Sequence, residues 1–368
     1  MKVESMTIKG FKLFDHLEVS FKNRTLQEIS DRFLVLGDNG AGKTTLLQAI
    51  ALPLALATRQ IRDISEFDWV GFLSGRFLRW GRPTVELIVS FAVEEIEATT
   101  EVSRRWYDAQ SADFRLSHSY IERGASRSVR LVFDGGTVYA DSPAEYYQFQ
   151  GRYCAMQLIK IDPMARQFFS RLPGVFWFDQ FRNLGSTLYP QEANGDGWSE
   201  SRGRVSYDFG VGRLRRYLNG WKLAQQSRST PYRTDYLMGL ENLYKSVFPK
   251  RSFAGVEPMP GVDSPTAEDF YFLLNDGHRT YDIVEMSAGE QSVFPVLYEF
   301  VRQQIAYSVV LIDEVDLNLH PPAAQLLVSQ LPKIGPTCQF ILTTHSEAVS
   351  NVIGEDETFR LPGGTLCL

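Results

Sequence analysis

Three short runs of mainly apolar residues predict the core of a parallel β-sheet. They lie at Phe33–Leu36, Ser308–Ile312 and Gln339–Leu342. Polar and apolar residues do not alternate inside these runs, which is typical of strands that are covered on both faces. Helix-forming sequence follows the first run at 44–58 and separates the other two at 323–331. We therefore predict an α/β fold with a parallel core sheet that is split between the two ends of the chain.

Alternating segments between these ends predict an antiparallel β flank. Two strands joined by a turn near Phe14 and Asp15 open the chain, and Asp134-Gly135-Gly136 predicts a hairpin further on. The predicted strands of the flank cover residues 84–93, 129–133 and 137–140, and the two opening strands cover residues 3–9 and 17–21.

The sequence changes character from about residue 188 to residue 280. Glycine and serine interrupt polar sequence there, with helical pieces such as 234–247. This pattern predicts an inserted, mostly helical lobe within a single domain that spans residues 1–368. The chain has no sustained heptad repeat, so we do not expect a long coiled-coil arm.

Composition narrows the class of protein. The chain has 368 residues, of which 22% are charged and 13% aromatic, and this balance is typical of a soluble globular protein. The three cysteines, Cys154, Cys338 and Cys367, are too scattered for a disulfide framework or a paired zinc motif and favour a reducing compartment. An uninterrupted apolar run of about 18 residues is missing, so we expect a cytoplasmic protein without a membrane anchor.

A glycine-rich segment between the first apolar run and its helix matches the phosphate-binding pattern GxxxxGK[ST]. Its glycines allow backbone N–H groups to point at phosphate oxygens, and the following helix favours an anion at its N-terminus. Lys43 is expected to pair with the β- and γ-phosphates, and the Thr44 hydroxyl to bind Mg²⁺. The nucleotide-binding residues predicted from this motif are Gly37, Asp38, Asn39, Gly40, Ala41, Gly42, Lys43, Thr44 and Thr45.

Two carboxylates end the second apolar run. In this arrangement Asp313 can hold the magnesium ion, while Glu314 can act as the base that polarises an attacking water. A strand that ends in acids is weak evidence alone, but it gains weight beside the phosphate loop.

The segment Ser287-Ala288-Gly289-Glu290-Gln291 precedes an amphipathic helix with an apolar face that includes Val293 and Leu297. Ser287 and Glu290 also fit the capping box S-x-x-E, which begins many helices. The position of this segment, shortly before the acid-ended strand, instead favours the signature motif of ABC-type ATPases.

With these three motifs the chain resembles the SMC/RecF/OLD-like branch of the ABC ATPases, the head domains of DNA-maintenance and phage-defence proteins. Transport ATPases match less well, because they usually carry glycine and glutamine where Ala288 and Glu290 stand. They also place the signature much closer to the phosphate loop than the 244 positions that separate Lys43 from Ser287. The resemblance implies a P-loop NTPase fold, an ABC ATPase head, with ATP and Mg²⁺ as cofactors.

The resemblance also assigns roles to residues outside the three motifs. Gln180 occupies the Q-loop position, which implies contact with magnesium and the attacking water, although an ordinary polar loop residue is the alternative. His345 matches the switch histidine that touches the γ-phosphate. Residues 315–321 match the D-loop, with the Leu-His-Pro ending of the OLD-like branch. Met6–Lys12 is similar to the first strand of RecF-like proteins, which places Lys12 either near the phosphates or at the surface.

Charge is distributed unevenly along the chain. The net charge is −6, yet residues 202–251 hold eleven Lys or Arg against three acidic residues, a local +8 that leaves −14 elsewhere. Aromatic residues such as Tyr217 and Trp221 lie among these cations, a pattern that suits a nucleic-acid strand. A solvated surface and a dock for an acidic partner protein are the alternatives.

In the branch that the chain resembles, Ser287 and Gly289 face the nucleotide of a second copy, and we include Glu290 among the nucleotide-binding residues. ATP would then join a homodimer, and hydrolysis through Glu314, His345 and Gln180 would release it. We predict an ATPase switch in DNA repair or phage defence that acts with nucleic acid and a separately encoded effector. The alternatives are a nucleotide-gated scaffold for a toxin or nuclease, without nucleic-acid contact, and the energising subunit of a transporter.

Overall fold

The computed structural model describes residues 1–77, 81–179, 207–226, 235–261 and 266–361. The strands and helices are β1 (Lys2–Phe11), β2 (Phe14–Ser20), β3 (Arg32–Leu36), α1 (Lys43–Ala57), α2 (Ser74–Phe77), β4 (Thr84–Ser90), α3 (Val93–Asp108), α4 (Ala112–Ser117), β5 (Ser128–Asp134), β6 (Thr137–Ala140), α5 (Pro143–Gln148), α6 (Gly151–Leu158), β7 (Gly174–Phe178), α7 (Tyr207–Gln226), α8 (Tyr236–Val247), β8 (Ser252–Pro258), β9 (Phe270–Asn275), β10 (Thr280–Asp282), α9 (Ala288–Gln303), β11 (Ser308–Ile312), α10 (Pro321–Ile334), β12 (Gln339–Thr344), α11 (Glu347–Ile353) and β13 (Thr358–Arg360).

These elements form two compact units. The first comprises Met1–Gln180, Gln303–Asp316 and Leu331–Leu368, and the second comprises Phe181–Arg302 and Leu317–Gln330. The segment 188–280, predicted as an inserted lobe, falls within the second unit.

A five-stranded parallel sheet of order β13-β3-β12-β11-β7 forms the centre of the first unit. The three apolar runs supply β3, β11 and β12, and nearly every residue of these strands is buried. Burial on both faces explains why their sequences do not alternate, and it confirms the predicted parallel core.

The antiparallel flank is a second five-stranded sheet, of order β2-β1-β4-β5-β6. Its alternating sequence buries one face only, as β4 shows with Val85, Leu87 and Val89 fully buried and partly exposed neighbours between them. The predicted hairpin is present, with Asp134 of β5 paired to Thr137 of β6. The first hairpin turns at Lys12 and Leu13, two residues before the predicted turn, because Phe14 already pairs with Phe11.

Helix α1 packs in the same core cluster as both sheets. Fourteen of its fifteen residues are buried, and they share a core with residues of β1, β4, β5, β11 and β12. A helix that is apolar on all sides is one that is covered on all sides. The helix that follows the phosphate loop is therefore fixed by the largest core of the molecule.

The second unit contains α7, α8, most of α9 and a three-stranded antiparallel sheet of order β10-β9-β8. Asn219 on α7 joins helix and sheet, because its Nδ2 donates to the carbonyl oxygens of Ala267 at 2.9 Å and Phe270 at 2.8 Å. The three strands were not predicted. A β-bulge between Phe253 and Gly255 interrupts the alternation that would have marked β8.

Two further elements differ from the sequence-based expectation. The parallel sheet also includes β7, from the middle of the chain, which is not among the strands that the sequence predicted. The strand predicted over 84–93 ends at Ser90, because Glu95 accepts a hydrogen bond from the N–H of Ala92 and begins α3 there. Among the described residues, the helices are all too short or too polar to span a membrane.

Gly151 provides a test of the packing around α6. A Cβ at this position would overlap Thr99 Oγ1 and lie 2.8 Å from Leu172 Cδ2. We expect Gly151→Ala to lower the free energy of unfolding by about 1–3 kcal/mol through overpacking. Urea unfolding measures the change. Gly75→Ala in the same unit is the matched control, because a Cβ there meets no atom within 4 Å; equal unfolding curves for the two variants would contradict the prediction.

Candidate functional site

The candidate site lies at the carboxyl edge of the parallel sheet in the first unit. The register pairs Leu36, the last residue of β3, with Thr344 at the end of β12, and Ile312 at the end of β11 with Leu342. The segments that leave these three strands therefore emerge side by side. This edge is where open α/β sheets usually bind ligands.

The phosphate loop occupies residues 37–42, between β3 and α1. Gly40 and Gly42 have φ angles of +85° and +101°, in the left-handed region that favours glycine. At Gly42 a Cβ would also lie only 2.6 Å from Phe14 Cζ. Glycine at both positions allows the loop to adopt this conformation, and the motif itself requires the glycine at position 42.

Lys43 is the first residue of α1, and its ammonium group lies against the loop. Its Nζ donates to the carbonyl oxygens of Gly37 at 2.8 Å and Asp38 at 3.3 Å. The same Nζ lies 3.7 Å from Glu314 Oε1, and the side chain is only 5% exposed. The charge is thus held beside the backbone N–H groups at the N-terminus of α1, where it adds to their attraction for an anion.

Asp313 is held by two threonines from different elements. Thr44 Oγ1 donates to Asp313 Oδ2 at 2.7 Å, and Thr343 Oγ1 donates to Asp313 Oδ1 at 2.5 Å. Asp313 is 1% exposed, so hydrogen bonds must replace the water that an ionised carboxylate loses on burial. The sequence placed Thr44 and Asp313 in one magnesium site, and the structure brings the two side chains into contact.

Glu314 faces the phosphate loop from an unusual backbone conformation. Its φ angle is +49°, which is uncommon for a residue with a side chain and concentrates at functional sites. Its N–H donates to Thr343 Oγ1 at 2.8 Å, and this bond holds the turn. The Glu314 carboxylate lies between the Lys43 ammonium and His345, whose Nδ1 is 3.1 Å from Glu314 Oε2.

These groups fit a magnesium–triphosphate ligand. Thr44 and Asp313 offer hydroxyl and carboxylate oxygens, the donors that Mg²⁺ prefers. Within the described ranges, three or more His, Cys, Asp or Glu side chains never gather as a metal cluster.

The signature segment lies in the second unit, at the start of α9. Ser287 and Ala288 are exposed, Gly289 is partly exposed and Glu290 is 2% exposed. The capping box is present, because the Glu290 N–H donates to Ser287 Oγ at 3.3 Å and the Ser287 N–H donates to Glu290 Oε2 at 3.0 Å. At Gly289 a Cβ would lie 3.4 Å from the carbonyl oxygen of Asn318 in the D-loop segment.

The resemblance also assigned roles to Gln180 and Lys12. Gln180 lies outside the described residues. Lys12 Nζ donates to Gln48 Oε1 at 2.6 Å and to the carbonyl oxygen of Gly71 at 2.9 Å, and burial lowers its pKa. Gln48 lies one helical turn after Thr44, so Lys12 is joined to the helix that begins at the phosphate loop.

Part of the basic segment also lies outside the described residues, including Arg202, Arg204, Arg228 and Arg233. Several of the described cations of this segment form ion pairs with acidic side chains. These pairs are Arg215–Asp282 at 3.3 Å, Arg216–Glu268 at 2.8 Å, Lys245–Glu241 at 2.7 Å and Arg251–Glu290 at 2.9 Å. Neutralised cations attract a phosphate backbone less than free ones do.

Sequence reasoning missed the two threonines that precede His345. Thr343 joins Asp313 to the Glu314 backbone, and Thr344 Oγ1 donates to Asp316 and accepts from the N–H of Ser346. The available signal was a pair of hydroxyls at the end of a buried strand, where polar side chains need partners.

Comparisons with known proteins agree with this geometry. A family model described as "AAA ATPase domain" matches residues 1–105, which include the phosphate loop. A second, described as "AAA domain, putative AbiEii toxin, Type IV TA system", matches residues 215–351, which include Ser287, Asp313, Glu314 and His345. These matches confirm the resemblance to ATPases that the motifs indicated.

Two curated relatives match shorter segments. The "Retron Vc95 probable ATPase" of Vibrio cholerae serotype O1 biovar El Tor is 33% identical over 86 residues, 20% of this chain and 17% of that protein. The "Retron Ec83 probable ATPase" of Escherichia coli is 27% identical over 103 residues, 25% of this chain and 19% of that protein. The chain thus aligns with less than a fifth of the length of either relative.

Solved structures similar to this chain include SMC head domains. One is the SMC head bound to the C-terminal winged-helix domain of ScpA, with a TM-score of 0.49, 12% identity and coverage of 96% of this chain and 92% of that one. Another is the SMC head domain from Thermotoga maritima, with a TM-score of 0.44, 14% identity and the same coverage of 96% and 92%.

Thr343→Val tests the hydrogen bonds that hold both acids. Valine keeps the branched shape but leaves Asp313 Oδ1 and the Glu314 N–H without the hydroxyl. Loss of such a supporting contact typically reduces metal affinity or activity about 10–100-fold. We expect ATP turnover to fall in this range and the Mg²⁺ concentration for half-maximal activity to rise, whereas Thr343→Ser retains both. Unchanged turnover and Mg²⁺ response in Thr343→Val would refute this role.

Proposed function

Because the chain matches AAA ATPase family models at its phosphate loop and at its acid-ended strand, we propose that it is a Mg²⁺-dependent ATPase that acts as a dimerising switch in the cytoplasm. The observation that carries the proposal is the meeting of Lys43, Thr44, Asp313 and Glu314 at one edge of the parallel sheet. Binding, metal coordination and base catalysis each need one of these groups, and all lie within a single site.

In this proposal the phosphate loop binds the triphosphate of ATP. The backbone N–H groups of residues 37–44 and the Lys43 ammonium stabilise its negative charge. Thr44 Oγ1 and the Asp313 carboxylate would hold Mg²⁺, which supplies charge neutralisation of the phosphates when it is bound. Thr44 and Asp313 are already hydrogen-bonded to each other, so their oxygens are placed for a common ligand.

Glu314 is the proposed general base. Its carboxylate lies beside both the loop lysine and His345, so it can accept a proton from a water near the terminal phosphate. His345 would orient that carboxylate and contact the γ-phosphate. Gln180 keeps its proposed role as a ligand of the water and the metal.

A second copy of the chain would complete each nucleotide site. Ser287 and Ala288 are exposed at the start of α9, while the next residues turn inward, so the N-terminus of this helix is presented at the surface. A helix N-terminus attracts anions, and we propose that it binds the γ-phosphate held by the partner. Hydrolysis would remove that phosphate and release the dimer, which makes the cycle a switch.

The relatives suggest the setting of the switch. Two of them are named as ATPases of retrons, and we propose a role in phage defence with a separately encoded effector. Direct contact with nucleic acid through residues 202–251 is one form of this function. The ion pairs of Arg215, Arg216, Lys245 and Arg251 favour the second candidate, a nucleotide-gated scaffold that controls an effector without contacting nucleic acid.

Glu314→Gln tests the catalytic cycle. Glutamine preserves the size of the side chain but cannot accept the proton, so we expect turnover to fall by about 10²–10⁴-fold. ATP should remain bound and the dimer should persist, as measured by light scattering after size exclusion. Lys43→Ala is the comparison variant, because it should weaken nucleotide binding and leave the protein monomeric with ATP. Normal hydrolysis by Glu314→Gln would show that another group is the base.

A salt titration distinguishes the two forms of the function. Phosphate contacts release counterions, so the affinity for duplex or single-stranded nucleic acid should fall steeply as the salt concentration rises. Fluorescence anisotropy with labelled DNA and RNA measures this slope. Absent binding, or a flat response to salt, would exclude direct phosphate contact and leave the scaffold function.

A further inference from the structure

The buried carboxylate of Glu290 collects hydrogen bonds from three elements of the second unit. On Oε1 it accepts from Tyr244 Oη of α8 at 2.5 Å and from Tyr281 Oη of β10 at 2.9 Å. Arg251 Nε lies 2.9 Å from the same oxygen and pairs with it. One oxygen of Glu290 thus receives three donors from outside the signature segment, and Tyr244 lies 46 positions before Glu290 in sequence.

The other oxygen of Glu290 serves the signature segment alone. Oε2 accepts from the Ser287 N–H at 3.0 Å and from Ser287 Oγ at 2.7 Å. The two oxygens therefore have separate tasks. Through one carboxylate, the exposed corner at Ser287 is connected to α8 and β10.

The surroundings of this carboxylate favour its charged form. Burial opposes ionisation, but hydrogen bonds from Tyr244, Ser287 and Tyr281 outweigh it and hold the pKa of Glu290 below its ordinary value. Burial, with the bond to Glu290, raises the pKa of Tyr281 to about 12. Tyr244 is fully buried, with its ring 5.2 Å from that of Phe294 on α9. Both tyrosines therefore remain protonated donors.

The donors on Glu290 Oε1 also determine whether Ser287 Oγ can exchange its hydrogen-bond partner. A serine hydroxyl has one proton to donate, and here Ser287 Oγ donates it to Glu290. If that proton turned toward a phosphate, Glu290 would keep the Ser287 N–H on Oε2 and all three donors on Oε1. The serine can thus exchange its partner without leaving a buried charge unsatisfied.

We propose that Glu290 is a positioning residue rather than a nucleotide ligand, and that Tyr244 and Tyr281 act through it to set the affinity of the ATP-bound dimer. This inference rests on the dimer proposed above. It replaces the sequence-based assignment of Glu290 to nucleotide contact, since a carboxylate that is 2% exposed and occupied on both oxygens has no free acceptor for a ligand. Through Glu290, the positions of α8 and β10 thereby affect the position of Ser287.

The test uses Tyr244→Phe and Tyr281→Phe, each in the Glu314→Gln background. Either change removes one hydroxyl and keeps the ring, so thermal unfolding should stay cooperative. We expect the dissociation constant of the ATP-bound dimer to rise about tenfold for each variant, since hydrogen bonds to charged groups are among the stronger ones. Concentration-dependent light scattering measures it. The affinity of the monomer for a fluorescent ATP analogue should be unchanged.

Tyr271→Phe is the matched control. Tyr271 is a half-buried tyrosine on β9, next to β10, and it does not contact Glu290. It should dimerise like the background protein. Tyr281→Phe, with the longer of the two tyrosine bonds, carries the test if Tyr244→Phe unfolds.

The outcomes separate the inference from the function on which it rests. If Glu314→Gln alone stays monomeric with ATP, the dimer proposal fails and the inference fails with it. If that protein dimerises and the tyrosine variants dimerise equally well, only the inference fails. A parallel loss of ATP affinity, dimer affinity and thermal stability would indicate a merely structural role and would also overturn it.

Discussion

The candidate site depends on the burial of Asp313 between two threonine hydroxyls. One hydroxyl comes from the first turn of α1 and the other from the end of β12, so three separate parts of the chain must be in register before the carboxylate is satisfied. A buried ionised group without such partners would be strongly destabilising. The correct alignment of β3, β11 and β12 therefore assembles the site, and the same Thr343 oxygen fixes the backbone of Glu314.

The second unit also contains a buried carboxylate that is satisfied by hydrogen bonds from different elements. Glu290, like Asp313, is a carboxylate with almost no exposure whose two oxygens bind donors from different elements. In both units a buried carboxylate holds a short segment that carries proposed site residues. The difference is in the donors, which are aliphatic hydroxyls around Asp313 and phenols with an arginine around Glu290.

The features that could be predicted from the sequence are those formed by residues that are contiguous in the chain. The phosphate loop, the apolar strands and the acids at the end of β11 are contiguous patterns, and the structure has them where they were expected. Strand β7 was missed although Phe176–Phe178 favour strand conformation, because its role as an edge of the core sheet depends on pairing with β11, more than 130 positions later. The supports of Glu290 were missed for a similar reason, since Tyr244 lies 46 positions away.

The burial of helix α1 has a mechanical consequence for the candidate site. Since it is enclosed on all sides by the main core, the loop in front of it cannot tilt or slide without disturbing the packing of both sheets, and protein interiors yield little to such strain. The glycine-rich loop is thus a rigid support, so any ligand that it holds is positioned against the main core of the first unit.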